Sequence, residues 1–200
     1  MKKRRRAQDH FARRAKQENY PARSVYKLEE IDQRVRLIRR GDTVLDLGAA
    51  PGSWTLYAAE KVGTGGAVVA IDRASLSVGV PANVTVIEAD ALACDPNEIR
   101  GFGAESGFDV VISDMAPKTS GHRFVDQSRS YALFSRALEI GAELLRPGGR
   151  FTGKIFHGED FEKAREQLRE LFTKVKVVRP KSVRSESYEI YLVGLDRKQR

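Results

Sequence analysis

The sequence predicts an α/β domain in which a seven-stranded, mostly parallel sheet carries helices on both faces. Two observations lead to it. From Asp42 onward, short apolar runs alternate with amphipathic patterns, and turn residues separate them. In addition, 200 residues with 41% apolar content suit one buried core and leave little chain for a second.

Residues 43–47, 67–71, 84–88, 108–113, 150–155, 174–178 and 189–195 read as the strands, and residues 53–61, 125–145 and 160–172 as helices between them. In 160–172, Phe161, Ala164, Leu168 and Leu171 recur at steps of three and four, the stripe that a helix buries. Gly148 and Gly149 stop the preceding helix before the next strand begins. Residues 22–35 read as a separate amphipathic helix, with Val25, Leu28, Ile31 and Val35 on one side. The expected organisation is a basic N-terminal segment, residues 1–40, whose helix packs on an α/β domain of residues 41–200.

Charge is unevenly placed. The net charge is +8, yet residues 1–40 hold 14 Lys and Arg against 5 Asp and Glu, so the remaining 160 residues hold 21 against 22. A concentrated positive field attracts polyanions through counterion release, and nucleic acid is the natural partner. The plainer alternative for residues 1–16 is a solvated basic tail. Cys94 is the single cysteine, which excludes an internal disulfide framework, and the reduced cytoplasm suits such a chain. No apolar stretch approaches membrane-spanning length. His10, His122 and His157 are isolated, so no metal site is expected. A serine-hydrolase reading lacks its nucleophile elbow.

The segment from Val44 to Trp54 runs from an apolar strand through a small-residue turn into a helix. In parallel sheets such a turn, at the carboxyl end of the first strand, cradles ligands. It has only Gly48 and Gly52, with Pro51 between, rather than the Gly-x-Gly-x-x-Gly that admits a pyrophosphate, so an uncharged nucleoside fits it better. Asp72 ends the second strand, 20 residues after Gly52, where an acid can accept from ribose hydroxyls; Asp90 follows the third strand and can take an adenine amino group. Taken singly, Asp72 could cap a turn and Trp54 could be core. Together they resemble the Rossmann-like S-adenosylmethionine methyltransferases.

Asp114 ends the strand 108–113 in a proline turn, and Lys154 sits at the carboxyl edge of the next strand among Phe151, Ile155 and Phe156. Such a lysine is costly to bury without a partner. With Asp46 to Trp54, Ser113 to Pro117, Lys154 to Phe156 with Gly158, and Ala22 to Leu28, the chain resembles the FtsJ/RrmJ ribose methyltransferases over nearly its whole length.

That resemblance implies a catalytic set of Lys27, Asp114, Lys154 and Glu189, and cofactor contacts at Gly52, Trp54, Asp72, Asp90 and Asp114. It further implies S-adenosylmethionine as methyl donor and a uridine ribose 2'-hydroxyl of 23S ribosomal RNA as acceptor. The expected setting is a monomer working on the assembled large subunit in the cytoplasm. Lys154 is expected to act as base; Lys27 and desolvation favour its neutral form while Asp114 opposes it, so Asp114 is expected to orient it. Glu189 opens its strand as the family does, but Glu186, Ser187 and Tyr188 stand where relatives tend to carry arginines, which leaves Glu186 as an alternative. Ser53 replaces the family's commoner glycine. The ribose of a transfer RNA or a cap, or a non-catalytic RNA-binding module, are the competing readings.

Overall fold

The computed structural model describes residues 2–102, 106–184 and 186–199. Its sheet has the order β3-β2-β1-β4-β5-β7-β6. The strands are β1 (Thr43–Leu47), β2 (Ala67–Asp72), β3 (Val84–Glu88), β4 (Phe108–Ser113), β5 (Leu145–Phe156), β6 (Phe172–Val178) and β7 (Glu189–Arg197). The first five run parallel, whereas β7 pairs antiparallel with both β5 and β6. The chain turns from β1 to β2 on one side and to β4 on the other. That reversal opens a crevice above the carboxyl ends of β1 and β4.

Register sets the site. Leu47 pairs with Ser113, and Ser113 with Gly153. The next residues, Gly48, Asp114 and Lys154, therefore leave three adjacent strands at one edge. Lys154 in turn pairs with Tyr191, and Phe156 with Glu189.

Helices fill both faces. On one, α4 (Pro96–Arg100), α5 (Arg123–Leu144) and α6 (Phe161–Leu171) cover a core that includes Phe108, Phe134, Phe151 and Phe172. On the other, α1 (Lys2–Gln17), α2 (Val25–Val35) and α3 (Ser53–Val62) enclose Leu28, Ile31, Trp54, Tyr57 and Tyr191. Among the described residues no helix is long and apolar enough to cross a membrane.

Differences from the sequence expectation have local causes. The basic run at the N-terminus is helical to Gln17; it lacks Gly and Pro, and Ala, Arg, Lys and Gln favour helix. Phe11 and Ala15 on this helix join the core around Tyr26. The short α4 was not expected; Asp95 caps it by accepting from the Asn97 amide at 2.8 Å, with Pro96 at its first turn. The strand expected from Arg150 begins at Leu145, through the Pro-Gly-Gly turn, with a register shift opposite Phe108 and Val110. The helix expected from Ala22 begins at Val25, because residues 22–24 are held by other partners.

Candidate active site

Those partners lie in the loop after β1. The Ala22 amide donates to Ser53 Oγ at 2.8 Å, Ser53 Oγ donates back to the Ala22 carbonyl at 3.0 Å, and Trp54 Nε1 donates to the Ser24 carbonyl at 2.9 Å. Ser53 thus fastens the entry of α2. The clasp fixes where Lys27 emerges, one turn further on.

The loop shapes a cavity of about 370 Å³ lined in part by Gly48, Ala50, Asp72, Asp90, Asp114 and Met115. Gly48 has φ +80°, and a Cβ there would stand 2.6 Å from Met115 Cγ, so the cradle requires glycine twice over. Asp72 accepts from the Ala50 and Ala74 amides at 3.0 and 2.9 Å, and Asp90 from the Leu92 amide at 3.0 Å. Both acids therefore brace the cavity wall while facing it. Gly52 (φ +112°) and Trp54 stand outside this lining: Gly52 packs under Val78, and the Trp54 ring lies 5.8 Å from that of Tyr191.

Beside the cavity the distant segments converge. Lys154 Nζ is 2.9 Å from Asp114 Oδ1 and 2.5 Å from the Asp114 carbonyl oxygen. Lys27 Nζ is 2.5 Å from Glu189 Oε1 and 4.0 Å from Asp114 Oδ2; Lys154 Nζ is 4.0 Å from Glu189 Oε1. Lys154 is only 6% exposed, so it depends on these carboxylates; a buried ammonium stripped of its partner costs about 3–5 kcal/mol. Glu189, not Glu186, is the carboxylate at the two amines. Glu186 lines a neighbouring groove with Arg23 and Arg184.

Two residues escaped the sequence reading. Tyr191, fully buried, donates its single hydroxyl proton to Asp114 Oδ1 at 2.7 Å, and the same oxygen lies 3.2 Å from Glu189 Oε1, between the two acids of the set. Its period-two relation to Glu189 was readable; its register opposite Lys154 was not. Burial and then the Asp114 and Glu189 charges hold the Tyr191 hydroxyl well above the ordinary phenol value, so it serves as a fixed donor. Burial pushes Asp114 up, but Lys154, Lys27 and the Tyr191 hydrogen bond outweigh it and leave the carboxyl below its usual value. The second is Asp46, wholly buried behind the loop. Burial raises its carboxyl to about 7, although Thr55 Oγ1 donates to Oδ2 at 2.7 Å, and Oδ1 has no partner.

A crevice with a nucleoside-sized cradle beside a Lys-Asp-Lys-Glu cluster can be compared with known proteins. The sequence model of the FtsJ-like methyltransferase family matches residues 20–197.

The chain belongs to the FtsJ-like methyltransferase family.

A relative from Sorangium cellulosum, named Ribosomal RNA large subunit methyltransferase E, is 52% identical over 95% of this chain and 88% of its own. A crystal structure of a ribosomal RNA methyltransferase from Plasmodium falciparum superposes with a TM-score of 0.77 at 24% identity, covering 90% of this chain and 100% of that one. Aeropyrum pernix fibrillarin, solved with natively bound S-adenosyl-L-methionine, gives 0.56 at 17% identity, covering 80% of this chain and 68% of its own. These two share the Rossmann-like fold. The family model and the named relatives make this chain a methyltransferase. Among the described residues, no group of three or more His, Cys, Asp or Glu side chains is arranged to hold a metal.

Proposed function

We propose that this chain transfers a methyl group from S-adenosylmethionine to the ribose 2'-hydroxyl of a uridine in large-subunit (23S) ribosomal RNA. It does so as a monomer acting on the assembled large subunit in the cytoplasm. Residues 41–200 form the methyltransferase domain, and residues 1–40 form a basic arm toward RNA. The observation that carries this reading is the meeting of Lys27, Asp114, Lys154 and Glu189 within 2.5–4.0 Å beside the cavity after β1. The name carried by relatives about half identical to it supports the substrate.

The cavity suits the donor. Its glycine cradle admits close approach, and Asp72, Asp90 and Asp114 offer acceptors to ribose hydroxyls, an adenine amine and a cationic centre. Asp72 would hold the ribose and Asp90 the adenine, while Gly52 and Trp54 act by shaping the loop and anchoring α2. When bound there, S-adenosylmethionine supplies an electrophilic methyl on a sulfonium.

The chain's own work is to hold the ribose oxygen in line and remove its proton. Lys154 Nζ commits two N–H bonds to the carbonyl and Oδ1 of Asp114. A neutral amine so held keeps its lone pair for the remaining direction, where it would take the hydroxyl proton as the oxygen–carbon bond forms and the methyl–sulfur bond breaks. Asp114, fixed by Tyr191, sets that direction. Lys27, held by Glu189, places a cation beside the acceptor oxygen.

Mapping 2'-O-methyl groups on large-subunit RNA from cells with and without the protein tests the assignment. One methylated uridine should vanish, and purified large subunits should outperform free RNA as acceptor. An unchanged map overturns the substrate.

A further inference from the structure

The strand end beside the cluster carries, on its α5 side, one feature the chemistry above does not use. Tyr188 immediately precedes Glu189 and is 47% exposed, large for an aromatic ring in a fold with this much core. Its backbone is fixed on both sides. The His157 amide donates to the Tyr188 carbonyl at 2.9 Å, and the Arg179 guanidinium donates to the Ser187 carbonyl at 2.9 Å. Glu189 and Tyr191 face the cluster on the α2 side, whereas Ile190 packs into the α5 core; by the same alternation Tyr188 leaves the strand end toward α5. There the Arg123 guanidinium, at the first turn of α5, sits 4.3 Å from the ring centroid and covers one face. Phe124, next in the chain, is 70% exposed.

A half-exposed ring backed by a cation on one face and held one residue before Glu189 is an arrangement on which an unpaired base stacks. Base-on-aromatic stacking tolerates any base because each has a π face, and a neighbouring arginine adds charge for the phosphates. A protein partner would also find Tyr188 and Phe124 apolar. The cationic surroundings, Arg123 here and Arg23, Lys27 and Arg184 across the strand end, favour the nucleic acid.

We propose that Tyr188, backed by Arg123, is a stacking platform for an unpaired nucleobase of the substrate RNA, at or next to the nucleotide that is methylated. The proposal rests on the RNA-methyltransferase reading above. The platform grips the base, and the ribose is thereby presented to Lys154 without any hydrogen bond that reads sequence.

The test compares Tyr188→Ala and Tyr188→Phe with the unaltered enzyme, using purified large ribosomal subunits and S-adenosylmethionine. Tyr188→Ala should raise KM for the subunits by roughly tenfold, with the slope of binding against salt unchanged because no phosphate contact is removed. Tyr188→Phe should stay within about twofold of wild type, since the face and not the hydroxyl does the gripping. Calorimetry should find the same affinity for S-adenosylmethionine in both. The chain has one tryptophan, buried Trp54, so Tyr188→Trp adds an exposed reporter whose fluorescence should be quenched on subunit binding. An unchanged KM in Tyr188→Ala, equal losses in the Ala and Phe variants, or an unquenched Trp at 188 would each overturn the platform. If the unaltered enzyme methylates no ribosomal RNA, the functional reading fails instead, and that outcome is distinct.

Discussion

The two cavities beside the catalytic cluster have similar volumes, about 370 and 390 Å³, and opposite charge. The one after β1 presents Asp72, Asp90 and Asp114 with Arg73 as its cation. The one beside α2 presents Arg23, Lys27 and Arg184, with Glu186 and Glu189 as its acids. Burial, and then the Arg184 charge, draw the Arg23 guanidinium below its ordinary value, while Glu189 and Glu186 oppose them. Asp114 opens onto the first and Lys27 and Glu189 onto the second, and Lys154 is bound between them. A methyl donor with a cationic sulfur and an acceptor with a phosphate backbone ask for this segregation. On the proposed function the cluster is a partition as well as a catalyst: each substrate meets a wall of the charge it lacks.

The variant expected to have the largest effect strikes the partition itself. Lys154→Ala should cut methyl transfer by about 10²–10⁴-fold while S-adenosylmethionine still binds, read by tritium-methyl transfer beside calorimetry. Retained turnover would remove Lys154 from the chemistry. On the acidic side, Asp72→Ala should weaken S-adenosylmethionine by roughly ten- to hundredfold, the worth of hydrogen bonds to a charged acceptor, and leave RNA affinity alone. On the basic side the pattern should invert. Arg184→Ala should weaken RNA binding by a few-fold, on the order of one phosphate contact, and lower the salt slope by about 1, with donor affinity intact. If Asp72→Ala and Arg184→Ala impaired the same ligand, the two-sided description would fall.

The smallest expected effect concerns Asp46, which lies behind the acidic wall. Its carboxyl rises from 3.8 to about 7 on folding, so between those values the folded chain binds the proton more tightly and stability falls as pH rises. Asp46→Asn removes the titration. Its melting temperature should exceed wild type by a few degrees at pH 8, the gap narrowing as pH is lowered toward 5. A gap that does not depend on pH would mean that Asp46 is not buried as a charge.

The strands were legible because each carries its own period, and β1, β3 and β4 fall where the apolar runs place them. Asp114 and Lys154 were legible too, at strand ends where turn chemistry marks the edge, whereas Lys27 and Glu189 came with the family resemblance. Trp54 illustrates the limit. The family resemblance implied a cofactor contact there, with core as the alternative; its indole donates to the Ser24 carbonyl and packs in the core with α2. The choice between Glu186 and Glu189 was equally closed to the sequence, because it depends on where β7 begins against β5.

What the sequence alone determined was local: the glycine cradle at Gly48, the acids and the lysine at strand ends, and a basic N-terminus, each written in neighbouring residues. Tertiary structure decided what depends on register and packing. The antiparallel pairing of β7 with β5 set Tyr191 against Lys154 and placed its hydroxyl between Asp114, to which it donates, and Glu189. The Ser53 and Trp54 clasp on residues 22–24 brought Lys27 across from a separate helix. Such contacts join groups up to 162 positions apart in the chain, as Lys27 and Glu189 are, and no periodicity within either segment encodes the distance between them.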